Sequence, residues 1–237
     1  MQRTISAMVG KGSVNHNSRK FRAENVDGTR THLNIDYCNE NIKTVYHELF
    51  DEALERYNAK QIRSDRKIKD YYEKIRSSKQ EKPFHEIILQ VGGKGNMNAD
   101  TENGDLAKQV LNEYYQGFQE RNPQLRVFSA HLHMDEATPH LHIDFVPFTT
   151  GSKRGLDTRV SLKQALATQG FKGGSRGDTE WSQWIQSEKE QLAAVMERYG
   201  IEWEHLGTHE KHLSVLDYKK QEREKEVAAL GAKIEQK

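Results

Sequence analysis

Apolar residues recur every fourth position between Ile42 and Ala59, at Val45, Leu49, Ala53 and Tyr57, and this spacing predicts an amphipathic helix. Residues 62–78 read as its charged continuation, with Ile62, Ile68, Tyr72 and Ile75 as a modest apolar face. A third stripe, Leu106, Val110, Tyr114 and Phe118, predicts a helix ending near Asn122–Pro123. A fourth, Trp181, Trp184, Ile185, Leu192, Val195 and Met196, predicts a longer one. Residues 160–171 read as a short helix stopped by Gly170. Strand-like runs fall at 2–9, 31–37, 84–93, 125–134, 140–148 and 201–203. The run at 84–93 follows the breaker Pro83 and reads as a central strand, and 135–139 reads as the turn of a hairpin. Residues 11–30, polar and glycine-punctuated, read as an ordered loop with little regular structure.

From about residue 210 the pattern changes. Leu213, Leu216, Lys220, Arg223, Val227, Leu230 and Ile234 alternate three and four apart, a heptad seam interrupted by two charges. The seam stops in mid-pattern at Lys237, which predicts a longer coiled coil in the natural protein. A solvated terminal helix is the alternative. The expected organisation is a domain over 1–208 followed by the start of a helical extension over 209–237.

The 237 residues are 35% hydrophobic and 30% charged, so a core is affordable and much of the chain is surface. The net charge of +1 gives no global field. Its distribution is uneven. Residues 1–35 carry Arg3, Lys11, Arg19, Lys20, Arg22 and Arg30 against Glu24 and Asp27. Residues 149–177 carry Lys153, Arg154, Arg159, Lys163, Lys172 and Arg176 against Asp157. Together these segments would make a phosphate-facing surface; the plainer reading is two loops that are basic by chance. Cys38 is the single cysteine, which rules out an internal disulfide and fits a reducing compartment. The N-terminus has no signal-peptide pattern, and no window reaches the run of about 20 apolar residues that a membrane span needs. A soluble, cytoplasmic protein is expected.

The candidate chemistry lies at 131–148, HLHMDEATPHLHIDFVPF, whose first twelve residues hold four of the chain's eleven histidines. On a strand, His140 and His142 project to one face, as do His131 and His133 on the preceding strand. A hairpin register placing His133 opposite His140 or His142 would converge three imidazoles on one point, since opposed Cβ atoms lie about 4.5–5.5 Å apart. Three histidines with an open remainder suit a catalytic metal site. Imidazole favours Zn, Cu, Fe and Ni, whereas carboxylate and water favour Mg and Mn, so the ligands alone do not choose the ion. Glu136 would reach the ion or hold a ligand imidazole, with Asp135 the spare acid and His131 in a supporting place or a bystander. The competing reading is a set of surface or core histidines with no ion.

His140-Leu141-His142 resembles the His-hydrophobe-His signature of the HUH endonucleases. The longer string from His133 through Asp135, Glu136 and Pro139 to His140 and His142 resembles the HxDExxPHxH motif of the MobV (Pre/Mob) plasmid mobilisation relaxases, and Val146-Pro147-Phe148 also fits. Two upstream segments are similar to the same family: VNHNSRKFR at 14–22, and Thr29 to Asn34 with its arginine-x-x-leucine-asparagine element. The resemblance implies an α+β fold with a central, mainly antiparallel five-stranded sheet flanked by helices. It makes His133, His140 and His142 metal ligands, Glu136 the acid of the site and His16 the nucleophile. A neutral imidazole needs no general base to attack phosphorus, and its ordinary pKa of about 6.5 leaves much of it neutral near pH 7. Tyr37, Tyr46, Tyr57, Tyr71 and Tyr72 are the alternatives. Asn17, Arg19, Lys20, Arg22, Arg30, Asn34, Lys153 and Arg154 would contact DNA.

The implied activity is metal-dependent, strand-specific nicking and rejoining of DNA at a plasmid or mobile-element origin of transfer, through a covalent 5′-phosphoryl-histidine. The implied cofactor is Mn2+ or Mg2+, with Zn2+ or another transition metal as alternatives. The implied partners are single-stranded and hairpin origin DNA, a second copy through the C-terminal helix, and the coupling protein of a conjugation system. Two rivals stand beside this reading. One is a DNA-binding or replication-control protein with an inactive site. The other is a three-histidine metal hydrolase or oxygenase of small molecules, which the long helices disfavour because a barrel needs many short strands.

Overall fold

The computed structural model describes residues 1–206 together with 220, 223, 224 and 227. Its strands are β1 (Gln2–Arg3), β2 (Ile5–Val9), β3 (Ile35–Asn39), β4 (His85–Val91), β5 (Leu125–His133), β6 (His140–Thr149), β7 (Arg159–Val160) and β8 (Glu202–Trp203). The helices are α1 (Val14–Asn17), α2 (Ile42–Ala59), α3 (Tyr71–Arg76), α4 (Glu102–Gln116), α5 (Phe118–Arg121), α6 (Leu162–Thr168) and α7 (Glu180–Arg198). Five strands form an antiparallel sheet in the order β2-β4-β6-β5-β3, and β7 pairs with the far end of β6. The expected α+β architecture is the observed one, and the histidine hairpin β5–β6 occupies the middle of the sheet.

Side-chain alternation divides the sheet into two faces. Leu89, Val127, Leu132, Leu141, Ile143 and Phe145 meet residues of α4, α6 and α7, including Leu111, Leu166, Trp184 and Leu192. On the other face, Phe128 and Val146 pack with Val45, Tyr46 and Phe50 of α2 and Tyr71 and Ile75 of α3. This second cluster covers one end of its face. The other end carries the histidines.

Three expectations are corrected. The strand over 2–9 breaks at Thr4: β2 pairs with β4, whereas β1 pairs in parallel with β8. The strand over 31–37 begins only at Ile35, because Thr31–Leu33 coil into a 3-10 turn. The charged helix over 62–78 shrinks to α3. Ile62 is fully exposed, Ser64–Arg66 form a separate 3-10 turn, and the Asp70 side chain accepts from the Glu73 backbone N–H to start a new helix. A run so rich in charge buries too little to hold a long helix against the sheet.

The chain divides into two units, 1–204 and 205–237. Of the heptad seam, Lys220, Arg223 and Val227 are helical and exposed, and Leu213, Leu216, Leu230 and Ile234 lie outside the described residues. No helix among the described residues is long and apolar enough to cross a membrane.

Candidate metal and catalytic site

Within the hairpin, His133 lies directly opposite His140, and His131 opposite His142. The His133, His140 and His142 rings are mutual neighbours, with centroids 4.7 to 5.2 Å apart. Each has one nitrogen committed to a group that can only accept. His133 Nε2 lies 2.8 Å from the Asn17 carbonyl, His140 Nδ1 2.8 Å from the Thr138 carbonyl, and His142 Nδ1 2.6 Å from the Glu86 carboxylate. These nitrogens therefore carry the protons, which leaves lone pairs on His133 Nδ1, His140 Nε2 and His142 Nε2. The first two face each other across 3.4 Å, and His142 Nε2 is buried with no partner. Facing lone pairs and an orphaned buried nitrogen are what a divalent cation would satisfy, so the residues present fit one. Burial, with His142 and His140 alongside, holds His133 far below its usual pKa; burial depresses His142 to about 4 despite the Glu86 carboxylate. Both rings are neutral near pH 7, the form that ligates metal.

Donor atoms close within 4.8 Å of one another in two overlapping sets, His16/His133/His142 and His133/Glu136/His140. The three expected ligands thus meet as neighbours shared between two sets that have His133 in common. Glu136 Oε1 lies 3.7 Å from His140 Nε2 and 3.5 Å from His16 Nε2.

Residues 10–34 form a strap tied across this end of the sheet. The Asp27 N–H donates to the Asp135 carbonyl, and the Met134 N–H donates to Asn34 Oδ1. Asp135 has a fully buried side chain that accepts from Arg19 twice, from Thr31 and from Asn34. Burial opposes its charge, but these donors hold it below the usual carboxylate range. Within the strap, α1 is one helical turn, and it carries His16 over the hairpin, 6.0 Å from the His133 ring and 6.2 Å from the His142 ring. Arg19 is in the left-handed region at φ 56° and sends its guanidinium to Asp135 and Glu136, with Nη1 3.3 Å from His16 Nε2. Glu136 is desolvated, yet His16, His140 and Arg19 hold it well below the usual range.

Beneath His16, Asn17 Nδ2 donates to both Glu86 and Asp144. Burial and the nearby Glu86 charge push Asp144 up to about 7, while Glu86 stays low despite its burial through His142, the Gly12 N–H and Asn17. One acid of this pair keeps the charge and supports His142.

The structure gives several of the expected contact residues a structural role. Asn17 is buried at 1% exposure, and the half-buried Asn34 and Arg19 are bonded to Asp135 and Met134 and ion-paired with Asp135 and Glu136, respectively. Their polar groups tie the strap to the sheet. Lys20 and Arg22 are exposed on the strap, and Arg30 is half-buried with Nη2 unpartnered. Lys153 and Arg154 are exposed on the β6–β7 loop, which the Arg56–Asp157 ion pair anchors to the end of α2, outside the histidine cluster. His131 has both nitrogens taken, by Asp36 and Ser129, and so offers the cluster no lone pair. Tyr37 donates to Asn112, Tyr46 to the Pro83 carbonyl, and Tyr71 accepts from the Val160 N–H, while Tyr57 and Tyr72 pack in the second core cluster. Glu86, Asp144 and Asn25, which donates to Glu136, are site residues that the sequence reading did not select.

The chain is similar to known proteins in sequence and in fold. The family model described as Mob_Pre, plasmid recombination enzyme, matches residues 13–220. A plasmid recombination enzyme type 2 of Staphylococcus aureus is 25% identical over 232 residues, covering 96% of this chain and 46% of that protein. A type 3 enzyme of the same species is 28% identical over 158 residues, 65% of this chain and 33% of that protein. The chain thus spans between a third and a half of the length of these relatives. In three dimensions the fold is similar to the manganese-bound MobM relaxase domain (MOBV; Mob_Pre) in complex with plasmid pMV158 oriT DNA. The TM-score is 0.55 at 20% identity, over 92% of this chain and 99% of that one. With the family model covering residues 13–220, most of the chain, the chain belongs to the Mob_Pre family of plasmid recombination enzymes.

Proposed function

We propose that this chain nicks and rejoins one DNA strand at an origin of transfer, with His16 as the nucleophile. The carrying observation is the cluster beside His16 in which the spare lone pairs of His133 and His140 face each other and the neighbouring His142 Nε2 is buried without a partner. The MobM domain similar in fold was solved with manganese and oriT DNA, which supports a divalent ion, Mn2+ or Mg2+, and a DNA strand as ligands here. His133, His140 and His142 would hold the ion, and such an ion would supply positive charge that stabilises the phosphate under attack. Arg19 Nη1 lies 3.3 Å from His16 Nε2 and positions the ring over the hairpin. Glu136 fixes Arg19 and stands beside the His16 ring. The Nε2 electron pair forms the P–N bond as the P–O3′ bond breaks. The imidazole's other proton leaves the ring, and the departing 3′ oxygen takes one up, so charge and protons balance. Reversal of the same step reseals the strand. Lys20, Arg22 and Arg30 would contact flanking phosphates, which positions the strand without reading it. Lys153 and Arg154 would do so further along the strand.

The test is incubation of the protein and Mn2+ with a 5′- or 3′-labelled single strand from the transfer origin of its own element. A covalent 5′ adduct that is acid-labile and absent in His16→Ala is expected. A band shift with no adduct would leave only a DNA-binding protein. An adduct that survives His16→Ala and is lost on substitution of a tyrosine would move the nucleophile.

A further inference from the structure

Phe21 is the one aromatic residue among the described residues that is left exposed, at 60%; every other Phe, Tyr and Trp there is buried or half-buried. It belongs to neither core cluster. Its neighbours Lys20 and Arg22 are both exposed cations. Its backbone is not loose. The left-handed turn at Arg19 folds the chain back so that the Phe21 N–H donates to the Asn15 carbonyl at 2.9 Å, beside the residue that carries His16. A non-glycine residue is disfavoured in that region, and the Arg19 ion pairs with Asp135 and Glu136 hold it there. The strap therefore presents an apolar ring to water, flanked in sequence by two exposed cations and with its backbone bonded to the residue before His16. Burial does not explain the ring, since burial is what it lacks.

We propose that Phe21 is a stacking platform for an unpaired nucleobase of the bound strand, with Lys20 and Arg22 against the phosphates on either side. The inference rests on the strand-nicking reading for its biological substrate, and it adds a residue and a contact type to that reading. A flat ring between cations matches single-stranded nucleic acid, in which bases alternate with phosphates, and base–aromatic stacking tolerates any base. A duplex does not fit, because its bases are already stacked.

The probe is a fluorescently labelled twelve-residue oligothymidylate at low salt, followed by anisotropy, with Mn2+ titration of each variant as a check on the site. Phe21→Ala and Phe21→Leu are both expected to bind about tenfold more weakly, and an oligomer of abasic sites should bind wild type as weakly as thymidylate binds Phe21→Ala. Phe21→Trp is expected to keep wild-type affinity, with its added indole fluorescence quenched when an unlabelled strand saturates the protein. Wild-type affinity in Phe21→Leu would overturn the proposal, because an apolar side chain without a π face would then suffice. Unquenched indole fluorescence of Phe21→Trp at saturation would overturn it too. The two readings separate cleanly. Thymidylate stacking without any origin-strand adduct removes the nicking function and leaves the platform, whereas an adduct with unchanged binding in Phe21→Ala does the reverse.

Discussion

Asp135 anchors the strap, since its buried carboxylate gathers Arg19, Thr31 and Asn34 at once. Removing one partner of such a pair leaves a buried charge uncompensated. Asp135→Ala should therefore lower unfolding stability by about 3–5 kcal/mol, read by urea denaturation. Glu86 acts differently. It orients His142 through a 2.6 Å contact to Nδ1, so Glu86→Gln should weaken Mn2+ binding about 10–100-fold with little change in melting temperature, read by calorimetric titration. At this scale the sequence displayed the histidines, Asp135, Glu136 and His16 through motif spacing. It displayed Glu86 and Asp144 only faintly. Asp144 stands two residues after His142 and therefore on the same face of β6, and Glu86 is the one acid in the strand run 84–93. Both signals follow from strand alternation once the neighbouring strand is known. The structural role of Asn17 and Asn34 was not legible, because a polar side chain in a basic loop reads as solvated and nothing local reveals the buried acids that bind them.

The hairpin was the most legible element. Period-two alternation on both arms and a short turn fix which histidines share a face, and the observed register places His133 opposite His140. The strap was less so: α1 is a four-residue turn held by tertiary contacts, too short for any periodic signal. The segment 62–78 failed for the opposite reason, a helical pattern without enough apolar area to dock. Helix α4 shows how closely an element can be set. A Cβ on Gly104 would stand 2.7 Å from Ala99 Cα and closer still to the Asn98 carbonyl. Gly104→Ala should cost about 1–3 kcal/mol by overpacking despite the better helix propensity of alanine, seen as a lower Tm.

Strand order belongs to the whole molecule and could not be read from one chain. β1 joins β8 across nearly the full length of the first unit, and β4 reaches β6 past the intervening α4, α5 and β5. The assembled core also sets the response to acid. His85 lies against Phe145 and Trp181, and burial, with Lys82 nearby, lowers its pKa from 6.5 to about 4. The unfolded chain then binds more protons than the folded one between these values. The contribution is fully present above pH 6.5 and is lost as pH falls toward 4, up to about 3 kcal/mol at ~1.36 kcal/mol per unit. His85→Phe should flatten the stability-versus-pH curve in that window; an unchanged slope would show that His85 does not contribute. The central claim is that His133, His140 and His142 hold one divalent ion while His16 stays free to react. Calorimetric titration with Mn2+ tests it most directly. Wild type and His16→Ala should each bind one ion with similar affinity, and Ala at 133, 140 or 142 should abolish binding. Retained binding in His140→Ala with loss in His16→Ala would make His16 a ligand and contradict the account.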